Sequence, residues 1–245
     1  TYLQQNNNNA RLIMSIIDQF LSVIAPHDCF ICGQEGKIIC PDCMDKIPAI
    51  TPRCFVCLKN EDGWNTCPEC LSNFPISRVI IAKEYTPVSK ALVWKLKNDG
   101  LQEAARIMAK QMAAMTQNMV INDYIIVPAP TSNRRKRQRG YDQAYLIAKE
   151  LQKITGNPFA NILRRKGDIH QVGSDIKTRK QQLHNSFEVI KPNKIRNAQI
   201  LLVDDVITTG STLAEAAKML ITHGAKEVSG ICFAHPKLRH TLLDN

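Results

Sequence analysis

Apolar side chains at Leu12, Ile13, Ile16, Ile17, Phe20, Leu21 and Ile24 recur at spacings of three and four, which predicts an amphipathic helix over 10–24. Its stripe is expected to dock on the rest of the protein rather than to enter a membrane. The preceding TYLQQNNNNA is polar and of low complexity, and is expected to be disordered. Residues 26–75 have no long periodic run and are rich in cysteine and proline. From Arg78 the pattern changes again. Strand-like runs at 78–83, 124–128, 199–204 and 227–233 alternate with helical patterns at 87–97, 100–116, 142–154 and 211–222. That alternation predicts an α/β domain with a mostly parallel sheet flanked by helices. Three parts result: a polar tail and amphipathic helix (1–25), a cysteine-rich module (26–75) and the α/β domain (76–245), with the second boundary near 72–78.

A length of 245 residues and a hydrophobic fraction of 44% suit one sizeable core plus a small module. The apolar run from Leu12 to Ile24 is interrupted by Asp18 and Gln19 and is too short to span a bilayer. It has neither a basic flank nor a small-residue cleavage site, so a signal peptide and membrane insertion are not expected and the expected compartment is cytoplasmic. Net charge is +10, unevenly divided. Residues 1–77 carry 5 Lys+Arg against 8 Asp+Glu, leaving 27 against 14, a balance of +13, on residues 78–245. Such a field favours polyanions, either nucleic acid or a highly phosphorylated ligand, although general solubility charge explains it too.

Eight of the nine cysteines form Cys-x-x-Cys pairs: Cys29/Cys32, Cys40/Cys43, Cys54/Cys57 and Cys67/Cys70. Two thiolates separated by two residues can face one ion from a tight turn, and two such turns complete a tetrahedral zinc shell. Disulfides are the competing reading, but nothing directs the chain to an oxidising compartment. One or two structural zinc ions are expected, with sequential pairing first and interleaved pairing as the alternative. Phe55 and Trp64 either pack against these knuckles or stack on bases, and Cys232 is expected in the core.

In ILLVDDVITTGSTLAEAAKML (200–220), a buried strand ends on Asp204 and Asp205 and is followed by Thr208, Thr209, Gly210, Ser211 and Thr212 at a helix start. Ligands of open α/β sheets bind beyond the carboxyl ends of the strands. Adjacent carboxylates suit two neighbouring ribose hydroxyls. A helix start with extra hydroxyls suits a monophosphate. The plain alternative is a turn with Ser211 or Thr212 as the helix cap.

LLVDDVITTGST resembles the phosphoribosyl-pyrophosphate (PRPP) signature of type I phosphoribosyltransferases. The resemblance implies that Asp204 and Asp205 hold the ribose hydroxyls, and are the catalytic acids if the site turns over. It further implies that Thr208, Thr209, Gly210, Ser211 and Thr212 hold the 5-phosphate. Four Cys-x-x-Cys pairs, YTPVSKALVWKLKNDG, VPAPTSNRRKRQRGYDQAYLIAKEL, HQVGSDIKTRKQQLHNSFEV and this signature follow one another as in the ComF family. Those competence-associated proteins combine a double zinc ribbon with a phosphoribosyltransferase-like domain, and the resemblance spans roughly 26–235.

By the same resemblance, Ala129, Pro130 and Thr131 contact pyrophosphate, in a loop stiffened by Pro128 and Pro130. Residues 164–187 correspond to a flap closing over PRPP, with Gln171, Arg179 and Asn185 at its spaced polar positions and Phe187 anchoring its far end. Arg134, Arg135, Lys136, Arg137 and Arg139 suit pyrophosphate or a nucleic-acid backbone. Tyr141 suits base stacking, and Gln143 lies at a helix start. Lys95 and Lys97 are either phosphate contacts or snorkelling surface lysines.

Three functions fit this reading. The first is a competence protein that handles single-stranded DNA during natural transformation and carries a PRPP- or nucleotide-phosphate-binding domain. The second is an active phosphoribosyltransferase, with Mg²⁺ and PRPP, acting on an unknown acceptor. The third is a zinc-dependent interaction module on a catalytically silent fold. The partners implied are PRPP or a related phosphorylated ribose, single-stranded DNA, and DNA-uptake or recombination proteins. Residues 234–245 are too few for a base-binding hood, which weighs against the second function.

Overall fold

A computed structural model of the protein describes residues 28–116, 124–131, 139–165 and 187–236. The helix expected over 10–24 lies outside these residues. The chain gathers into two compact units, Thr1–Ile47 and Pro48–Asn245, whereas sequence character changes at 72–78. In the first unit the Cys29 and Cys40 turns are followed by a short helix, α1 (Pro41–Asp45), started by a proline whose missing N–H costs nothing at that position.

The second unit opens with the other cysteine pairs, a 3-10 turn (Asp62–Trp64) and α2 (Pro68–Leu71). Trp64 is almost fully buried. This knuckle is hydrogen-bonded into the sheet region. Thr66 N donates to Ser77 O at 2.8 Å, Ser77 N donates to Val228 O at 2.9 Å, and Asn65 bridges to Arg78.

Beyond it the main sheet contains β1 (Val79–Glu84), β2 (Tyr124–Pro128), β5 (Gln199–Val206) and β6 (Glu227–His235), in the order β1-β6-β5-β2 and parallel throughout. A small antiparallel pair, β3 (Leu163–Arg165) with β4 (Phe187–Val189), sets Arg165 opposite Phe187. Sequence periodicity did not reveal that pair, because three residues are too few to display a period of two.

The central strand β5 reads Ile200, Leu201, Leu202, Val203, all with essentially no exposure, as expected for a parallel strand covered on both faces. Each such side chain contributes about 1.5–3 kcal/mol by leaving water. Helices α4 (Gln102–Ala114), α5 (Gln143–Thr155) and α6 (Ser211–Thr222) flank the sheet. In α4, Ala104, Ala105, Met108, Ala109 and Met112 form the buried stripe. Helix α5 begins where the Asp142 carboxylate accepts from Tyr145 N and ends at Gly156.

The pattern over 87–97 predicts one helix, but the structure divides it. Helix α3 (Pro87–Trp94) opens with a reciprocal cap, Thr86 N to Ser89 Oγ at 2.7 Å and Ser89 N to Thr86 Oγ1 at 3.4 Å. It then widens into a π turn (Lys95–Asp99) that ends at left-handed Gly100. The Tyr141 hydroxyl donates to Leu96 O inside that turn at 2.7 Å, and a Cβ on Gly100 would meet the Tyr141 ring at 3.1 Å. Widened turns of this kind occur disproportionately at functional sites.

Candidate functional site

Because the four strands are parallel, their carboxyl ends lie on one edge, and the segments leaving them line a single cleft of about 480 Å³. Tyr85 follows β1, residues 129–131 follow β2, Asp204 and Asp205 end β5, and Pro236 follows β6. Thr208 and Thr212 come from the turn into α6. The predicted residues Ala129, Pro130, Thr131, Asp204, Asp205, Thr208 and Thr212 are therefore brought together.

Asp204 and Asp205 are held by the main chain around them. Asp205 N donates to Asp204 Oδ1 at 2.8 Å, and Val206 N donates to Asp205 Oδ1 at 2.7 Å. Lys97 Nζ lies 2.6 Å from Asp205 Oδ2, which gives the π turn a purpose: it delivers a cation from α3 to the acidic pair. Burial, and then the like charge of Asp205, raise the Asp204 carboxyl well above the usual carboxylate range. Behind it, Cys232 is fully buried in β6, opposite Asp204, and the same burial pushes its thiol up.

The turn after β5 does not use a side-chain cap. Gly210 occupies the N-cap position of α6 in the left-handed conformation (φ 72°), so neither Ser211 nor Thr212 caps the helix. Ser211 N donates to Thr209 Oγ1 at 3.4 Å, and the N–H groups of Thr212 and Leu213, at the positive end of the helix dipole, meet no side-chain acceptor among the described residues. Thr208, Thr209, Ser211 and Thr212 are exposed around them, with Thr209 Oγ1 2.8 Å from Ser211 Oγ, while Gly210 is buried. This is the arrangement that accommodates an anion.

Arg139, Arg165 and Gln143 complete the described wall. Gln143, in the first turn of α5, lines the cleft; it is 3% exposed, and its Nε2 meets no acceptor among the described residues. Leaving such a group unpaired costs about 1–3 kcal/mol, which an entering ligand would relieve. The sequence marked Gln143 only by its place at a helix start and did not mark Tyr85 or Arg165 at all. For Tyr85, its place directly after a strand of the α/β sheet was the signal. Tyr141, expected to stack on bases, has its hydroxyl engaged by Leu96 O. Phe187 is buried. Arg134, Arg135, Lys136 and Arg137, and the flap positions Gln171, Arg179 and Asn185, lie outside the described residues.

The cysteines pair sequentially. Cys29, Cys32, Cys40 and Cys43 form one group and Cys54, Cys57, Cys67 and Cys70 another, with all Sγ atoms of a group within 4.8 Å of one another. All nine cysteines are free thiols. Sγ–Sγ distances of 3.6 Å (Cys32–Cys40) and 3.5 Å (Cys57–Cys67) approach the ~3.8 Å that Zn–S bonds of about 2.3 Å impose on a tetrahedron. Against burial, which raises it, the main chain of Cys40, Cys32 and Ile31 draws the Cys29 thiol down to about 6. In the same way Cys57, Cys67 and Val56 draw Cys54 to about 7, against burial. Burial raises Cys43 to about 12 and Cys70 to about 11. Each group thus supplies a ready thiolate beside sulfurs that ionise fully only with a cation among them. Both groups could hold zinc.

Elemental analysis of purified protein should find two zinc ions per chain, falling to one in Cys54→Ser; metal-free folded protein would contradict the assignment. The raised Asp204 carboxyl has a signed consequence. The fold disfavours its anion, so stability falls as pH rises from the unfolded-state value of about 4 towards the raised folded value. Asp204→Asn should therefore raise the ligand-free Tm at pH 7, by about 2–4 °C per kcal/mol relieved, and the two proteins should converge near pH 4. A lower Tm at pH 7 would show that Lys97 and the main chain already compensate the charge.

The chain was compared with known proteins. The family model of the phosphoribosyl transferase domain matches residues 138–242. DNA utilization protein YhgH of Salmonella typhimurium is 29% identical over 217 residues, covering 83% of this chain and 88% of the relative. Competence protein F of Haemophilus influenzae is 30% identical over 211 residues, covering 82% and 86%. Competence protein ComFC of Bacillus subtilis is 25% identical over 225 residues, covering 87% and 90%. With its two four-cysteine groups and its phosphoribosyl transferase-type domain, the chain belongs to the competence protein F (ComF) family.

Proposed function

We propose that this protein handles single-stranded DNA during natural transformation and that its cleft binds PRPP or a related phosphorylated ribose together with Mg²⁺. One observation carries the ligand reading: two adjacent carboxylates share a cleft with a helix start that has no side-chain cap. The vicinal ribose hydroxyls donate to Asp204 and Asp205. The 5-phosphate accepts from the first N–H groups of α6 and from the hydroxyls of Thr208, Thr209, Ser211 and Thr212. Residues 129–131, with Lys97, Arg139 and Arg165 nearby, face the pyrophosphate. Mg²⁺ entering with the ligand would supply neutralisation of the phosphate charge.

The DNA reading rests on family membership and on the charge of +13 over residues 78–245. A nucleic-acid backbone is drawn to such a field without regard to sequence. The basic run from Arg134 to Arg139 would track phosphates. The cations around the cleft also favour a second reading, an active transferase. There they would stabilise the charge that develops on departing pyrophosphate while an acceptor attacks the anomeric carbon.

Titration with PRPP and Mg²⁺ should show saturable binding, weakened about 10- to 100-fold in Asp205→Asn, as expected for losing a hydrogen bond to a charged group. An unaltered affinity in that variant would remove the acidic pair from the site. A single-stranded oligonucleotide should bind with a steep salt dependence. Replacing Arg134, Arg135, Arg137 and Arg139 by alanine should reduce the slope of log K against log[salt] by about 3. An unchanged slope would exclude the basic run. Pyrophosphate release on adding an acceptor would support the transferase reading, and its absence across acceptors would count against it.

A further inference from the structure

Phe55 lies between two metal-ligating cysteines, yet it is 4% exposed and packs inside the α/β unit. Its ring is 5.5 Å from Phe74 and meets His235 edge-on at 5.4 Å. Above these rings sits Gly210. A Cβ there would come within 2.6 Å of Phe55 Cε1 and 3.0 Å of Phe74 Cε2, closer than packed carbons tolerate. The main chain of the phosphate turn therefore rests directly on the two rings. His235 closes the third side. Burial holds its imidazole below the usual range, partly offset by the main chain of Pro236 and of Thr208, in the same turn.

Gly210 satisfies two demands at once. Its left-handed conformation turns β5 into α6, and its lack of a side chain lets the aromatic rings approach. The N-cap residue itself has no side chain to cap α6, and the only side-chain bonds described within the turn run between Thr209 and Ser211 on its exposed side, so its buried side is shaped by what lies beneath it. Beneath it lies Phe55, whose own main chain is set by Cys54 and Cys57. Cys57 Sγ lies 3.5 Å from Cys67 Sγ, and Leu58 N donates to Cys54 O at 2.9 Å, closing the knuckle.

Resting on the ligand reading above, we propose that the second cysteine knuckle is the floor of the phosphate turn. A cation held by Cys54, Cys57, Cys67 and Cys70 fixes Phe55. Phe55 with Phe74 then holds Gly210 in the conformation that presents the first N–H groups of α6 to a phosphate. Phe55 is on this account a positioning residue: it touches no ligand and acts through Gly210. Loss of the metal would reach the cleft through this contact.

The test uses the full chain as wild type, Phe55→Ala, Phe55→Leu, Gly210→Ala and the double variant Phe55→Ala/Gly210→Ala. For each, zinc content, amide hydrogen exchange over 207–213 without ligand, and affinity for PRPP with Mg²⁺ are measured. The expected result is that Phe55→Ala keeps two zinc ions, exchanges at least ten-fold faster in the turn and binds PRPP at least ten-fold more weakly. Phe55→Leu, which restores bulk, should recover most of both. Gly210→Ala should weaken PRPP binding, and adding Phe55→Ala should cost less than the two single losses combined, because the 2.6 Å contact with Phe55 is gone while the 3.0 Å contact with Phe74 and the left-handed backbone remain; independent sites would instead lose affinity additively. Unchanged exchange in Phe55→Ala with zinc retained overturns the proposal. So does an additive double variant. Should Phe55→Ala lose zinc, Phe55→Leu and Gly210→Ala, measured for exchange over 207–213 with zinc retained, decide by the same criteria. If wild type binds no PRPP, the ligand reading fails, while exchange over 207–213 still decides whether Phe55 supports the turn.

Discussion

Asp204 and Asp205 leave the sheet at the end of a strand whose preceding residues, 200–203, are almost wholly removed from water. Two adjacent carboxylates in that position are costly, because burial and the neighbouring charge of Asp205 both oppose ionisation of Asp204. The surrounding architecture can be understood as a response. Main-chain N–H groups of Asp205 and Val206 accommodate one oxygen each. A widened turn after α3 brings Lys97 to the second carboxylate. The Gln143 amide, whose Nε2 meets no acceptor among the described residues, and the start of α6 at Gly210 belong to the same region. A cleft with this much unspent polarity is better suited to a polar, charged ligand than to an apolar one.

The cysteine groups answer a different constraint. Their segments lack long apolar runs, and four sulfurs gathered within 4.8 Å of one another could hold a tetrahedral ion that would tie each segment together. The two groups are alike in sulfur geometry, but their surroundings differ in one respect that matters for the cleft. Cys54, Cys57, Cys67 and Cys70 belong to the same compact unit as the sheet, and the residues between them take part in its packing. Trp64 and Phe55, for which the sequence offered packing against the knuckles or stacking on bases, are both buried there.

Much of the fold was legible beforehand because long, regular segments carry their period openly. The runs at 124–128 and 211–222 match β2 and α6 residue for residue, and the other strands of the main sheet differ by one or two positions at their ends. What was hidden was short or depended on tertiary contact. Strands β3 and β4 are three residues each. The π turn at Lys95–Asp99 depends on Gly100 and on Tyr141, which is distant in sequence, so local spacing could not reveal it. For the site, the acidic pair and the hydroxyl-rich turn were visible as a motif. Tyr85 and Arg165 were not, and Gln143 was marked only by its place at a helix start, because the end of β1, the start of α5 and the end of β3 meet at the cleft only through the tertiary fold. Gly210 illustrates both limits: its place in the motif was evident, but the rings beneath it were not.

The ligand geometry is the centre of the account, and the most direct measurement is an experimental structure of the full chain with PRPP and Mg²⁺ bound. The account predicts the 5-phosphate against the first N–H groups of α6, with the ribose hydroxyls on Asp204 and Asp205 and Gly210 still seated on Phe55. A ligand bound away from the 204–212 segment, or a phosphate turn whose Gly210 has left the Phe55 ring, would contradict it.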